Sequence, residues 1–135
     1  MVRIISVILL SYLVGSIPTA YIFVRLIKGE DIRQHGSGNV GATNALRLLG
    51  KKMGLLILAI DMLKGFLPVV FFSNAFISAK GAVLSFETAS LLIAGAAIAG
   101  HIWTVFLKFK GGKGVATTLG ALFGLALKVK GLSAV

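Results

Sequence analysis

Residues 4–27 read IISVILLSYLVGSIPTAYIFVRLI, and this stretch decides the fold class. Its apolar character is interrupted only by Ser, Thr, Gly, Pro18 and, near the end, Arg25. As a helix rising 1.5 Å per residue it reaches about 36 Å, against about 30 Å for a bilayer's hydrocarbon core. A secretory signal would have an apolar region of about 7–15 residues, closed by a small-x-small cleavage site. Here Pro18-Thr19-Ala20 is a poor match and apolar sequence continues beyond it. The run reads as a retained membrane span.

Composition carries the same message through the other 111 of 135 residues. Hydrophobic residues make up 57% of the chain and charged ones 13%, where a soluble domain carries about 25% charged residues. Mean hydropathy is +0.98. There are 17 Gly, a residue commoner in membrane helices than in soluble ones. This much apolar side chain excludes disorder. The absence of Cys excludes disulfide and thiolate chemistry. Three further apolar runs follow, Met53–Phe72, Phe86–Ala99 and Val115–Leu127. Phe86–Ala99 needs to extend through Trp103 and Phe106 for a straight crossing, and Val115–Leu127 is short for one. The expected architecture is all-α: one transmembrane domain over residues 1–135, a polytopic bundle of three to four apolar helices.

Charge sets the expected topology. The net +10 would suggest nucleic acid in a soluble protein; in a membrane protein it reports sidedness. Lys28 to Lys52 carries net +3, as does His101 to Gly114, whereas Ser73 to Ser85 holds only Lys80. Two basic loops separated by two spans share a face, which the positive-inside rule makes cytoplasmic, with the N-terminus outside. Lys128 and Lys130 fit this pattern less well if the last segment crosses fully.

Chemistry concentrates in the two basic loops. Gly36-Ser-Gly-Asn-Val-Gly41 matches G-x-G-x-x-G, and Asp61 lies 20 residues beyond. The dinucleotide fingerprint requires a preceding strand, and a membrane span stands there instead, so that reading fails. Gly36, Gly38 and Gly41 still allow backbone N–H groups to turn into one anion-binding concavity. Ser37, Asn39, Thr43 and Asn44 add short donors. Thr43 or Asn44 can cap a short helix, Ala45 to Leu49, ended by Gly50, on which Arg47 presents a fork suited to phosphate. The plainer reading of these residues is a flexible turn with an N-cap and a surface arginine.

The second loop places Lys110-Gly111-Gly112-Lys113-Gly114 before an apolar helix, so ammonium groups and a helix N-terminus again converge. It is not a Walker A loop, because Gly114 stands where Ser or Thr would hold magnesium. Its plainer reading is a juxtamembrane stretch against anionic lipid heads, anchored by Trp103. Within the second span, Asp61 and Lys64 share a helix face at i and i+3 and read first as a structural ion pair. His35 and His101 invite a general-base role, without an orienting carboxylate nearby in sequence. There are too few carboxylates for a metal cage, and no Ser-His-Asp or H-E-x-x-H arrangement occurs.

Together these stretches resemble the bacterial membrane family of glycerol-3-phosphate acyltransferases that use acyl phosphate as donor. The resemblance is carried by Gly15-Ser-Ile-Pro18-Thr-Ala-Tyr21, Asp31-Ile-Arg33, Gly36 to Asn44 with Arg47, Leu49-Gly-Lys-Lys52 and Asp61-Met-Leu-Lys64-Gly65. Gly100-His101 and Phe109-Lys-Gly-Gly-Lys-Gly-Val-Ala-Thr117 complete it. It implies transfer of a fatty acyl group to the 1-hydroxyl of glycerol 3-phosphate, giving lysophosphatidic acid and phosphate, in a bacterial inner (plasma) membrane. Glycerol 3-phosphate, acyl phosphate and membrane lipid are then the partners, with no nucleic acid, metal or organic cofactor.

Carried over by position, Ser37, Arg47 and Lys113 match functional residues. Gly38, Asn39, Thr43, Asn44, Gly111, Gly112 and Gly114 match the phosphate-binding framework, and Gly36, Gly41 and Lys110 join them. The proton acceptor is a substrate phosphate or His101. Thr104 stands where the family usually has Pro, and Lys108 where a small residue is common. Family members continue through further spans to a third motif with His and Asn, so these residues correspond to the front part of a longer fold. Two other functions suit the same loops: binding or transport of phosphate or organophosphate, and an inactive truncated membrane subunit.

Overall fold

The computed structural model describes residues 2–74 and 84–132, and among these all regular structure is helical. The helices are α1 (Val2–Ser16), α2 (Thr19–Lys28), α3 (Ala42–Leu49), α4 (Lys51–Phe72), α5 (Phe86–Ile102) and α6 (Val115–Leu132). Single 3-10 turns occupy Ile32–Gln34 and Val105–Leu107. Most of the 73–85 connection, Lys80 included, lies outside the described residues.

Three stretches are long and apolar enough to span: Val2–Lys28, Lys51–Phe72 and Phe86–Leu107. The protein is an integral membrane protein. The first span is not one helix, however. Pro18 has no N–H to donate and its ring disfavours the helix before it, so the chain breaks between α1 and α2. That break frees carbonyls at membrane depth, where each needs a partner. Thr104 Oγ1 donates to Ser16 O at 2.5 Å, and Lys64 Nζ donates to Ile17 O at 2.8 Å. A break in one element is thereby pinned by side chains from two others.

In lipid, helix association rests on close packing more than on the hydrophobic effect. Two parallel pairs result. In the first, Gly15 of α1 lies on the backbone of Ala97, and Gly100 of α5 on that of Tyr12 and Ser16. In the second, Gly65 of α4 abuts Thr117, and Gly120 of α6 abuts Met62. A Cβ at any of these four positions would collide with main chain. The last helix extends beyond the apolar run read from the sequence. Its 18 residues span about 27 Å, and Lys128 Nζ reaches Asn74 Oδ1 at 2.5 Å beside the end of α4. Lys128 therefore lies at the end of the bundle opposite the glycine loops.

Candidate functional site

The 29–41 loop is built around one amide. Asn44 Nδ2 faces the carbonyls of Ile32, His35 and Asn39 at 3.3, 2.9 and 3.0 Å, and its Oδ1 accepts from the Ser37 N–H at 3.3 Å. The residue is buried, and these contacts absorb its polar capacity. Gly36 makes the wrap possible: its φ is +55°, and a Cβ there would collide with Asn44 Oδ1. At the loop's entrance Arg33 forks onto Asp31, with Nη2 2.6 Å from Oδ2, and lies over the Tyr21 ring. The guanidinium lowers the Asp31 carboxyl from its ordinary 3.8 to about 2.

The expected helix after this loop exists, but it starts at Ala42 rather than Ala45, and neither Thr43 nor Asn44 caps it. Gly41 holds the N-cap position without a side-chain hydrogen bond. The first N–H groups of α3 are thus left for another partner. The same economy recurs at α6, which follows Gly114 at φ +77°.

These two helix starts meet. Gly41, Ala42 and Thr43 from one, and Gly114, Val115 and Ala116 from the other, line a single cavity of about 300 Å³. Ser37, Asn39, Asn44, Arg47, His101 and Lys113 also line it, with Leu58 and Leu119 on its apolar side. All four expected catalytic residues, Ser37, Arg47, His101 and Lys113, are therefore in one place. Among the described residues neither Arg47 nor Lys113 is held in an ion pair.

Five residues expected in the site do not line the cavity: Gly36, Gly38, Lys110, Gly111 and Gly112. Gly36 and Gly38 (φ +71°) shape the loop from behind. The Gly111 and Gly112 N–H groups donate to Ile102 O and His101 O, so they are not free for an anion. Both glycines pack against His101, where a side chain would meet its carbonyl or its ring. Lys110 is exposed, its N–H closing the preceding turn on Leu107 O.

The two departures in the second loop flank that turn. Thr104 is buried; besides bonding Ser16 O, its Oγ1 accepts from the Phe106 N–H at 3.3 Å. Lys108 and Phe109 take φ of 53° and 63°, left-handed values that cost a non-glycine residue of order 1 kcal/mol or more. Glycine, with no Cβ, takes such a position without that cost.

The sequence left the cavity floor unassigned. Asp61 lines it from α4 and forms the expected ion pair with Lys64, Oδ1 to Nζ 2.8 Å. The same oxygen lies 3.9 Å from His101 Nδ1, which is 3.1 Å from Thr117 Oγ1. A carboxylate distant in sequence thus stands beside the histidine. Its signal was present, since ionisable residues inside a span mark function by default. Among the described residues no group of three or more His, Asp or Glu forms a metal cage.

The arrangement offers two helix N-termini, an arginine and a lysine to an anion, next to apolar helix surface. Against known proteins, residues 5–135 match the family described as glycerol-3-phosphate acyltransferase. The chain is 44% identical over 122 residues to the glycerol-3-phosphate acyltransferase of Staphylococcus saprophyticus, covering 90% of this chain and 60% of that protein. It is 50% identical over 116 residues to glycerol-3-phosphate acyltransferase 2 of Moorella thermoacetica, covering 86% and 55%. The crystal structure of PlsY (YgiH), an integral membrane glycerol 3-phosphate acyltransferase in its glycerol 3-phosphate form, superposes with a TM-score of 0.79 at 40% identity. The match covers 96% of this chain and 61% of that one. The chain thus spans about 60% of the length of the relatives it matches.

Proposed function

The chain belongs to the glycerol-3-phosphate acyltransferase family, and from that premise we propose that its site transfers a fatty acyl group from acyl phosphate to the 1-hydroxyl of glycerol 3-phosphate. The products are lysophosphatidic acid and phosphate. The observation that carries this reading is the convergence of both basic glycine loops, with two uncapped helix starts, on one cavity. Each substrate brings a phosphate, and each helix end favours an anion by about 0.3–1 kcal/mol, more where partly buried.

Arg47, with its planar fork, and Ser37 hold glycerol 3-phosphate in line. Lys113 and the N–H groups at the start of α6 stabilise the departing phosphate. Phosphate, with a second pKa of about 6, accepts the hydroxyl proton. The acyl chain lies along an apolar groove of about 500 Å³ between α4 and α6, where Met62, Phe66 and Phe123 continue from Leu58 and Leu119.

The test pairs radiolabelled glycerol 3-phosphate with palmitoyl phosphate in membranes holding the chain. Labelled lysophosphatidate is expected, and Arg47→Ala or Lys113→Ala should abolish it while membrane insertion persists. Unchanged turnover in both variants would sink the site assignment. The loops face the cytoplasm of a bacterial inner membrane in this reading, with the N-terminus outside. Because the chain has no Cys, a single cysteine at Lys51 or Glu87 reports sidedness directly. An impermeant maleimide added outside intact cells should label Glu87→Cys and spare Lys51→Cys; the reverse pattern inverts the topology.

A further inference from the structure

We propose that a groove beside the Pro18 break holds an acyl chain of an anionic phospholipid, whose phosphate sits between Arg25 and Lys108. The groove measures about 320 Å³ and is lined by Ile17, Pro18, Tyr21 and Ile22 on one wall and by Phe106 and Leu107 on the other. It belongs to the first span and shares no residue with the anion cavity or with the groove between α4 and α6. Leu107 fixes the second wall, because it is buried in one cluster with Ala20 and Val24 of α2. At membrane depth an apolar groove on a lipid-facing surface fills with hydrocarbon. What selects one lipid over another is its rim.

That rim is cationic on both sides. Pro18, Tyr21, Ile22 and Arg25 follow the spacing of one helix face, so Arg25 stands one turn beyond the α2 wall. Lys108 directly follows Leu107 on the other wall. Lys28 and Lys110 lie further along the same two segments, and all four cations are exposed. The chain's four carboxylates are engaged elsewhere. Asp31 is taken by Arg33, Glu30 faces His35 Nε2 at 3.2 Å and Asp61 pairs with Lys64. Glu87 opens α5, at the opposite end of the bundle. Among the described residues none of the four cations is in an ion pair. Arg25 spends Nη1 on Gly29 O at 2.8 Å, which leaves the rest of its fork open.

Apolar side chains beside these cations place the rim at the lipid interface. Leu26 is 79% exposed and Phe109 59%, and cations mixed with exposed apolar groups suit the headgroup boundary. An anionic phospholipid matches both parts of the surface. Its chain fills the groove, its phosphate meets the arginine fork and the lysine, and its headgroup brings no cation for them to repel.

The chain has one Trp, Trp103, so Trp103→Phe with Phe106→Trp leaves a single indole in the groove wall. This protein is reconstituted in dioleoylphosphatidylcholine with rising fractions of a brominated lipid, either phosphatidylglycerol or phosphatidylcholine. The brominated anionic lipid is expected to quench with an apparent affinity about fivefold or more above the zwitterionic one, the weight of one cation at an anionic surface. Equal quenching by the two overturns the proposal. Arg25→Gln with Lys108→Gln should bring the ratio close to one, whereas Lys51→Gln with Lys52→Gln should leave it intact. If the second pair lowers the ratio as far as the first, or the first leaves it unchanged, bulk charge and not this groove selects the lipid, and the proposal falls. Should the first pair fail to insert, Lys108→Gln alone must at least halve the ratio, and an unchanged ratio refutes the proposal. Should the reporter itself fail to insert, Trp103→Phe with Ile22→Trp reads the same groove from its facing wall under the same criteria. No substrate enters these measurements, so a failed acyltransferase assay leaves them intact.

Discussion

Asn44 shows how one side chain builds a loop that other residues then use. Its amide collects three carbonyls and one N–H from residues 32–39, so the loop's shape is stored in a single buried group. Asn44→Ala should leave those carbonyls without their donor, costing about 1–3 kcal/mol. The expected result is a lower midpoint in thermal unfolding of the detergent-solubilised protein, together with loss of glycerol 3-phosphate binding. Asn44→Ala with parental stability would mean that the loop holds itself by other means. From the sequence Asn44 read as a substrate donor or a helix cap, because short polar residues in a glycine loop do both. Which groups such a residue satisfies depends on how the loop folds back, and spacing alone does not encode that.

The helices were more legible than their contacts. Long apolar runs report spans directly, and the three long ones appear where the composition places them. The break at Pro18 was visible as a residue, but its repair was not, since Thr104 and Lys64 come from 86 and 46 residues away. Interface glycines likewise look alike in sequence. Gly120 rests on the Met62 backbone, whereas nothing lies within 4 Å of a Cβ at Gly95. Gly120→Leu should therefore separate α4 from α6 and cause loss of the folded protein in membranes. Gly95→Ala should stabilise by about 0.5–1 kcal/mol through helix propensity. Parallel unfolding curves for both variants test the distinction; equal effects would show that these glycines do not set the helix pairing.

At the scale of the molecule, two parallel helix pairs bring two loops from separate thirds of the chain to one end of the bundle. Excess charge predicted that shared face, but not that the positive ends of α3 and α6 would meet inside one cavity. Two helix starts, Arg47 and Lys113 line the cavity, and in the proposed reading these groups hold the anion. In lipid nanodiscs the chain is expected to bind glycerol 3-phosphate by titration calorimetry, with inorganic phosphate competing. Arg47→Ala and Lys113→Ala should each weaken binding by about tenfold or more, as loss of a charge-assisted hydrogen bond of about 1.5–3 kcal/mol requires. Arg47→Lys should recover only part, because an ammonium cannot reproduce the planar fork. Raising salt should weaken the parent more than either alanine variant, since each variant has lost a charge that salt would screen. Binding that ignores both substitutions would place the anion outside this cavity, and the convergence of the two loops would need another explanation.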